Sequence, residues 1–458
     1  PSINVYLEIS SSLYSTRRLV MNNLKRNIGF LPAFSTVIGI VIGSGVFFKA
    51  AIIYKTTGNV SLGMIAWVLG GIITICAGLT VAELAAAIPE TGGMIVWIER
   101  AYGRPFSYLL GWAQTVIYFP ASMAAAAIIF ATQCVNLFQL DKIYNIPIAI
   151  AVALSVTCLN LLGGKTGGIV QTVATFCKLI PIFAIVIFGL FQANPHTVEL
   201  FPNSSTFSND NSFTALGSAL LATMYAYDGW IAVGNIAGEM KNPRRDLPRA
   251  IFLGLGLVMV IYLLINTAYL MTMPMEQISG NQKAASEIAV LLFGGVGGKI
   301  ITIGILISVY GTLNGYTMTG IRVPYAMAMK DQVPFKNTWT KLNKFAIPHY
   351  SAFLLLGIAI IMIFTGQFDT LTDFLLFTIW FFFVATFIAV FILRKKEPSL
   401  VRPYKVPLYP LVPIIAIIGG GYILVSTLIA QFTLAMGGVL LTLIGLLFFK
   451  DFHKKLKK

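Results

Sequence analysis

Apolar runs of membrane-crossing length recur along this chain with only short polar segments between them. They lie near 30–53, 62–87, 105–136, 143–163, 168–191, 213–237, 249–272, 297–328, 349–365, 369–393, 406–429 and 431–450. A helix of about 20 apolar residues crosses a bilayer. The pattern therefore predicts an all-α polytopic membrane protein with about 12 transmembrane helices. No Pro/Gly/Ser-rich linker interrupts it, and no polar insertion is long enough to fold alone. The longest connections fall near 192–212 and 273–296.

Two of the runs carry a flaw at mid-depth. The first contains GIVIGSGVFF, Gly39 to Phe48, and each Gly of its Gly43-Ser44-Gly45 core costs about 1 kcal/mol against Ala in a helix interior. The sixth, LLATMYAYDGWIAVGNIAGEM, places Asp228-Gly229 at its centre, where an Asp costs about 2.5–3.5 kcal/mol on insertion scales. A lone GSG is also what close helix packing by small residues produces. Paired breaks in spans one and six, the first members of two five-helix halves, point instead to a binding site built from inverted repeats. The predicted organisation is a tail over 1–29, five helices over 30–191, five more over 213–393, two over 406–450 and a basic tail over 451–458.

An unwound first span has specific chemistry. Opening the helix at Gly43, Ser44 and Gly45 frees backbone N–H groups at the positive end of a half-helix, which attracts a carboxylate. The preceding half ends around Val41 and Ile42 with free carbonyls, which attract an ammonium. One break can therefore hold a zwitterion.

Composition and charge narrow the class. The chain is 57% hydrophobic and 11% charged, where soluble domains carry roughly 25% charged residues. Its net charge of +15 is distributed by side. With a cytoplasmic N-terminus, 26 Lys and Arg fall inside, five outside, and Lys178 within a span. That is the positive-inside bias of a multi-pass protein with both termini cytoplasmic. The bias accounts for the basic charge, and no soluble basic domain is present to bind nucleic acid. The basic residues of KNPRRDLPRA act as topology signals and contacts to membrane lipid headgroups.

The remaining chemistry-bearing residues are few. Cys76, Cys134, Cys158 and Cys177 form no CxxC pair and are expected to be buried small hydrophobes. His196, His349 and His453 lie outside or at the ends of spans, which argues against a histidine relay. There is no HExxH, GxSxG or Walker A motif, so the sequence does not suggest an enzyme, a metal site or direct use of ATP. No repeated filter segment suggests a channel. Residues before Met21 lack the pattern of a signal peptide, and Met21 is the expected natural start. Asn203-Ser204-Ser205 matches a glycosylation sequon by composition only.

GIVIGSGVF, VAELAAAIPETGG and GEMKNPRRDLPRAI together resemble motifs of the amino acid–polyamine–organocation superfamily. The likeness is greatest to its L-amino acid transporter branch, in particular bacterial members exchanging alanine, serine, cysteine and threonine, and runs from about Leu24 to Phe449. It implies a five-plus-five inverted repeat with broken helices 1 and 6, alternating access at the plasma membrane, and no cofactor. Small neutral L-amino acids are the implied substrates. A proton-coupled symporter of the same fold and a transporter of cationic amino acids or polyamines are the alternatives.

The resemblance also implies residue roles. Ser44 and Gly45 would take the substrate carboxylate, and the carbonyls of Val41, Ile42, Tyr225 and Asp228 its amine. Tyr225 falls where the family keeps an aromatic gate, though a Tyr packed in a helix interface reads the same way. The Asp228 side chain is either a cap for the second half-helix or a proton carrier. Glu83 reads as a structural anchor at the inner end of span two. Eukaryotic members join a heavy chain through a cysteine after span three; NLFQLDKIYNIP has none, so no such subunit is expected. Lys178, about 15 Å into span five, should face the interior. It occupies the place where sodium-coupled relatives hold sodium, and would tie span five to the first-span carbonyls and to span eight. The implied transport is independent of sodium.

Overall fold

The computed structural model describes residues 29–88, 93–193, 195–198, 200–201, 212–231 and 240–449. The expected start at Met21, the sequon, the basic tail and the second half of the sixth span lie outside the described residues. Within them there is no strand, and every predicted apolar run is helical.

The helices are α1 (Phe30–Val41), α2 (Gly45–Thr57), α3 (Val60–Ala87), α4 (Met94–Tyr102) and α5 (Arg104–Phe138). They continue with α6 (Asn145–Leu161), α7 (Gly164–Leu190), α8 (Ser212–Ala226), α9 (Pro243–Thr272) and α10 (Ala284–Gly320). The last are α11 (Arg322–Met329), α12 (His349–Ile363), α13 (Phe368–Lys396), α14 (Leu411–Ala430) and α15 (Phe432–Ile444). Among the described residues eight helices are long and apolar enough to cross a membrane, or nine when α1 and α2 count as one bent span. Three shorter apolar helices cover the remaining runs. This is a multi-pass membrane protein.

Local chemistry accounts for many of the boundaries. Gly58 ends α2 in the left-handed region at φ 56°, and the Asn59 side chain then caps α3 by accepting from the Leu62 N–H at 3.0 Å. Hydroxyls inside the spans donate back to their own helix, as Thr74 does to Gly70 (2.8 Å) and Thr80 to Cys76 (2.7 Å). These two hydroxyls thereby find an acceptor where no water is at hand.

Tertiary contacts sort the spans into two neighbourhoods. In one, α9 lies along α1 and α3, while α8 lies along α2 and α3. In the other, α10 lies along α7 and α5, with α6 and α12 behind α5. One end of the helices is basic. There Arg394 forks onto Glu83 (2.8 and 2.6 Å), Arg100 onto Glu397 (2.7 and 2.6 Å), and Lys330 meets Glu99 at 2.5 Å. Glu83 also accepts the Val406 N–H at 2.8 Å, the anchoring role expected of it.

Several sequence readings need correcting. The eighth apolar run is helical as far as Met329, with a single turn at Ile321 between Gly320 and Arg322. The connection near 273–296 folds into helix from Ala284, set off by Gly294 at φ 72°. Cys158 is exposed and Cys177 intermediate; only Cys76 and Cys134 are buried. Lys178 is not the one lysine inside a span: Lys49 lies fully buried within α2.

Candidate functional site

The first span breaks where its sequence weakens it. Ile42 leaves the helix at ψ 102°, residues 43 and 44 form a bend, and α2 restarts at Gly45 at 49° to the first half. Ser44 stands at the N-cap without capping through its side chain, and its N–H and that of Gly45 donate to no acceptor among the described residues. The sixth span breaks alongside. Helix α8 stops at Ala226, and Gly229 adopts φ 97°, a conformation suited to glycine.

The two breaks touch through backbone. A Cβ on Gly45 would lie 2.5 Å from Ala226 Cα, and one on Gly229 would lie 2.7 Å from a side-chain carbon of Ile40. Gly43 differs, because a Cβ there would meet nothing nearer than Thr312 Oγ1, at 3.4 Å. Gly45 is thus demanded by the contact between spans, whereas Gly43 borders open space.

That space is a cavity of about 980 Å³. Val41, Ile42, Gly43, Ser44, Gly45, Lys178, Tyr225 and Asp228, the predicted site residues, all line it. It extends to Met94, Arg322, Lys330 and Pro348, so it reaches the basic end. The opposite side is closed. Tyr225, buried and hydrogen bonded to Ser44 Oγ at 3.3 Å, sets its ring edge-on to Phe368 with centroids 5.5 Å apart. Above both rings lies the Lys49 ammonium, 5.1 Å from the Tyr225 centroid and 4.6 Å from that of Phe368. It donates to Asp369 Oδ1 at 2.9 Å and to Thr372 Oγ1 at 2.6 Å. Gln282 donates to the other Asp369 oxygen at 3.1 Å.

Lys178 lies on the other side of the break. Its ammonium donates to the carbonyls of Gly39, at 2.5 Å, and of Ile42. The expected tie to the first span is present, while the expected tie to the eighth is absent: Lys178 bonds nothing on α10 among the described residues. The single O–H of Tyr262 is shared between the carbonyls of Ala226 (2.7 Å) and Val41 (3.3 Å), and so bridges both breaks. The half-helix that Asp228 would cap lies mostly outside the described residues, but the Asp228 carboxylate has two further partners. Its Oδ2 accepts from Tyr118 at 2.5 Å and from Tyr316 at 3.2 Å.

Comparison with known proteins accords with this geometry. The model of an amino acid permease family matches residues 28–449. The chain belongs to the amino acid permease family. This permease is 41% identical over 428 residues to the serine/threonine exchanger SteT of Bacillus subtilis, covering 93% of this chain and 96% of that one. It is 30% identical over 434 residues to the human Asc-type amino acid transporter 1, covering 92% of this chain and 81% of that one. The human cystine/glutamate transporter is 28% identical over 390 residues, with 84% and 77% covered.

Sequence reasoning missed the partners more than the site. Lys49 and Asp369 are over 300 positions apart, and nothing in either local pattern announces the pair. Tyr118, Tyr262 and Tyr316 look like ordinary aromatic residues of apolar helices. The one available signal was Lys49 itself, a cation inside the first apolar run.

Proposed function

We propose that this permease is a secondary transporter that exchanges small neutral L-amino acids by alternating access, independently of sodium. The observation that carries the reading is the broken first span, whose free N–H groups at Ser44 and Gly45 border a cavity that extends to the basic end. A substrate carboxylate would be held by those N–H groups and the Ser44 hydroxyl. Its ammonium would be held by the carbonyls of Val41, Ile42, Tyr225 and Asp228 around the two breaks. Tyr225 would serve as the gate, since its ring separates the cavity from the Lys49 cluster. Lys178 would stand where a sodium ion could otherwise sit, its fixed charge neutralising the carbonyl dipoles of the opened helix.

The same reading takes the twelve apolar runs as twelve crossings in a five-plus-five inverted repeat. The basic end faces the cytoplasm, with both termini on that side of the plasma membrane. On this reading the cavity faces inward. No heavy-chain subunit is required. The names of the relatives, an exchanger of serine and threonine among them, support the substrate class.

Uptake of labelled serine into proteoliposomes tests it. Stimulation by serine or alanine loaded inside, unchanged when sodium is replaced by choline, is the expected result. Uptake into empty vesicles driven only by an inward proton gradient would assign symport instead. Lysine competing better than alanine would assign cationic transport.

A further inference from the structure

A second cavity, of about 670 Å³, lies at the basic end and shares no lining residue with the central one. Phe30 at the start of α1, Leu79 of α3 and Pro407 from the segment before α14 form one side of it. Glu83 holds that segment by accepting the N–H of Val406. The other side is the first part of α9, and its lining changes character with depth. Arg245 and Arg249 stand one turn apart on one helix face, and Phe252 and Leu253 continue that face one turn further. Arg249 is the last charge before residues 250–272, which carry none. An uncharged stretch of that length crosses the hydrocarbon of a bilayer. Arg249 therefore stands at headgroup level, and Phe252 and Leu253, about 5 Å deeper, lie among acyl chains. Both are exposed, so the cavity wall runs onto the surface of α9 that meets lipid.

The charges of the lining do not cancel. Its one carboxylate, Asp246, is buried and accepts from Arg245 Nε at 2.8 Å. Arg249 is exposed and has no hydrogen-bond or ion-pair partner among the described residues. We infer that this cavity binds one anionic phospholipid from the leaflet at the basic end. The lipid phosphate lies between Arg249 and Arg245, and an acyl chain lies along Phe252 and Leu253. What identifies the ligand is the order of the chemistry, cation first and apolar surface one turn deeper, which is the order of a lipid from headgroup to tail. A soluble anion uses only the arginines and leaves the apolar half uncovered. The site is also narrower than the general attraction of basic loops for an anionic surface, because it belongs to one cavity. A lipid held there touches α1, α3 and α9 at once and braces the start of the broken first span. The inference is independent of what the permease transports.

Native mass spectrometry of the detergent-solubilised protein reads the site without any transport assay. Given equal amounts of dioleoyl phosphatidylglycerol and dioleoyl phosphatidylcholine, wild-type protein should retain one tightly held phosphatidylglycerol, preferred at least about fivefold. Arg249→Gln should bring the preference to within about twofold, and Arg249→Lys, which keeps the charge, should preserve most of it. Arg249 is exposed and unpartnered, so both variants should fold. Lys395→Gln removes an exposed cation of the same end outside the cavity and should leave the preference unchanged. Glycerol 3-phosphate in excess, a headgroup phosphate without chains, should not displace the lipid. Three results would each overturn the site: no preference in the wild type, an equal loss from Lys395→Gln and Arg249→Gln, or displacement by glycerol 3-phosphate as effective as by added phosphatidylglycerol.

Discussion

Two buried ammonium groups flank the break in the first span, and they are satisfied in opposite ways. Lys178 is bound by carbonyls, that of Gly39 in the last turn of α1 and that of Ile42 just after it. Lys49 is bound by side chains of another span, Asp369 and Thr372 of α13, and rests on two aromatic faces. The partners of Lys178 cannot depart without α1 changing its shape. Those of Lys49 depart whenever α13 moves away from α2. In the proposed exchange cycle, one lysine would maintain the break throughout, while the other would hold one end closed and be released when that end opens. Burial makes both contacts matter, because a charge left without partners in a nonaqueous interior is expensive.

The sharpest test of this contrast is Lys178→Ala. Two carbonyls lose their donor, each at about 1–3 kcal/mol, and the exchange rate in proteoliposomes should fall at least about tenfold. The order in which amino acids compete should stay the same. A changed order would mean that Lys178 contacts substrate. Next comes Asp369→Ala, which strands the Lys49 ammonium. Removing one partner of a buried pair costs about 3–5 kcal/mol, and the partial exposure of Asp369 screens some of that. The melting temperature of the detergent-solubilised protein should drop by several degrees, and adding Lys49→Met should recover most of the loss. No recovery would show that the two residues act independently. Ser44→Ala should be milder, with less than about a tenfold loss of apparent serine affinity, since backbone N–H groups remain and its bond to Tyr225 is long. Choline in place of sodium should have no effect on wild-type exchange, because Lys178 already supplies the positive charge.

The helical class, the location of each run and the two breaks were legible in the sequence because the bilayer imposes a strong periodic constraint. Gly43-Ser44-Gly45 and Asp228-Gly229 violate that constraint locally, and the structure unwinds the chain at both. Lys178 was legible for the same reason, a charge too deep to escape to water. What stayed hidden depends on contacts between distant spans. The Lys49–Asp369 pair and the two phenols on Asp228 arise only when the spans are brought together, and a tyrosine on an apolar helix gives no hint of which carboxylate it will meet. Gly45 shows the same limit. Its sequence suggested room for a ligand; the structure places it in the cavity wall and also against Ala226, a contact that nothing in the local sequence announces.

The reciprocal seating of Gly45 on Ala226 and of Gly229 on Ile40 has a mechanical consequence. Each broken span presses its weakest point against the helix end of the other, at distances that admit nothing larger than hydrogen. The two interruptions are thus keyed together like the arms of a pair of shears crossing at a pin. Such a joint permits rotation about the crossing and resists sliding along it. Whatever pulls on one arm, a ligand arriving at the first span or a rearrangement at the sixth, is delivered to the other as torque. The hydroxyl of Tyr262, bonded to the carbonyls of Val41 and Ala226 at once, sits where the pin would be.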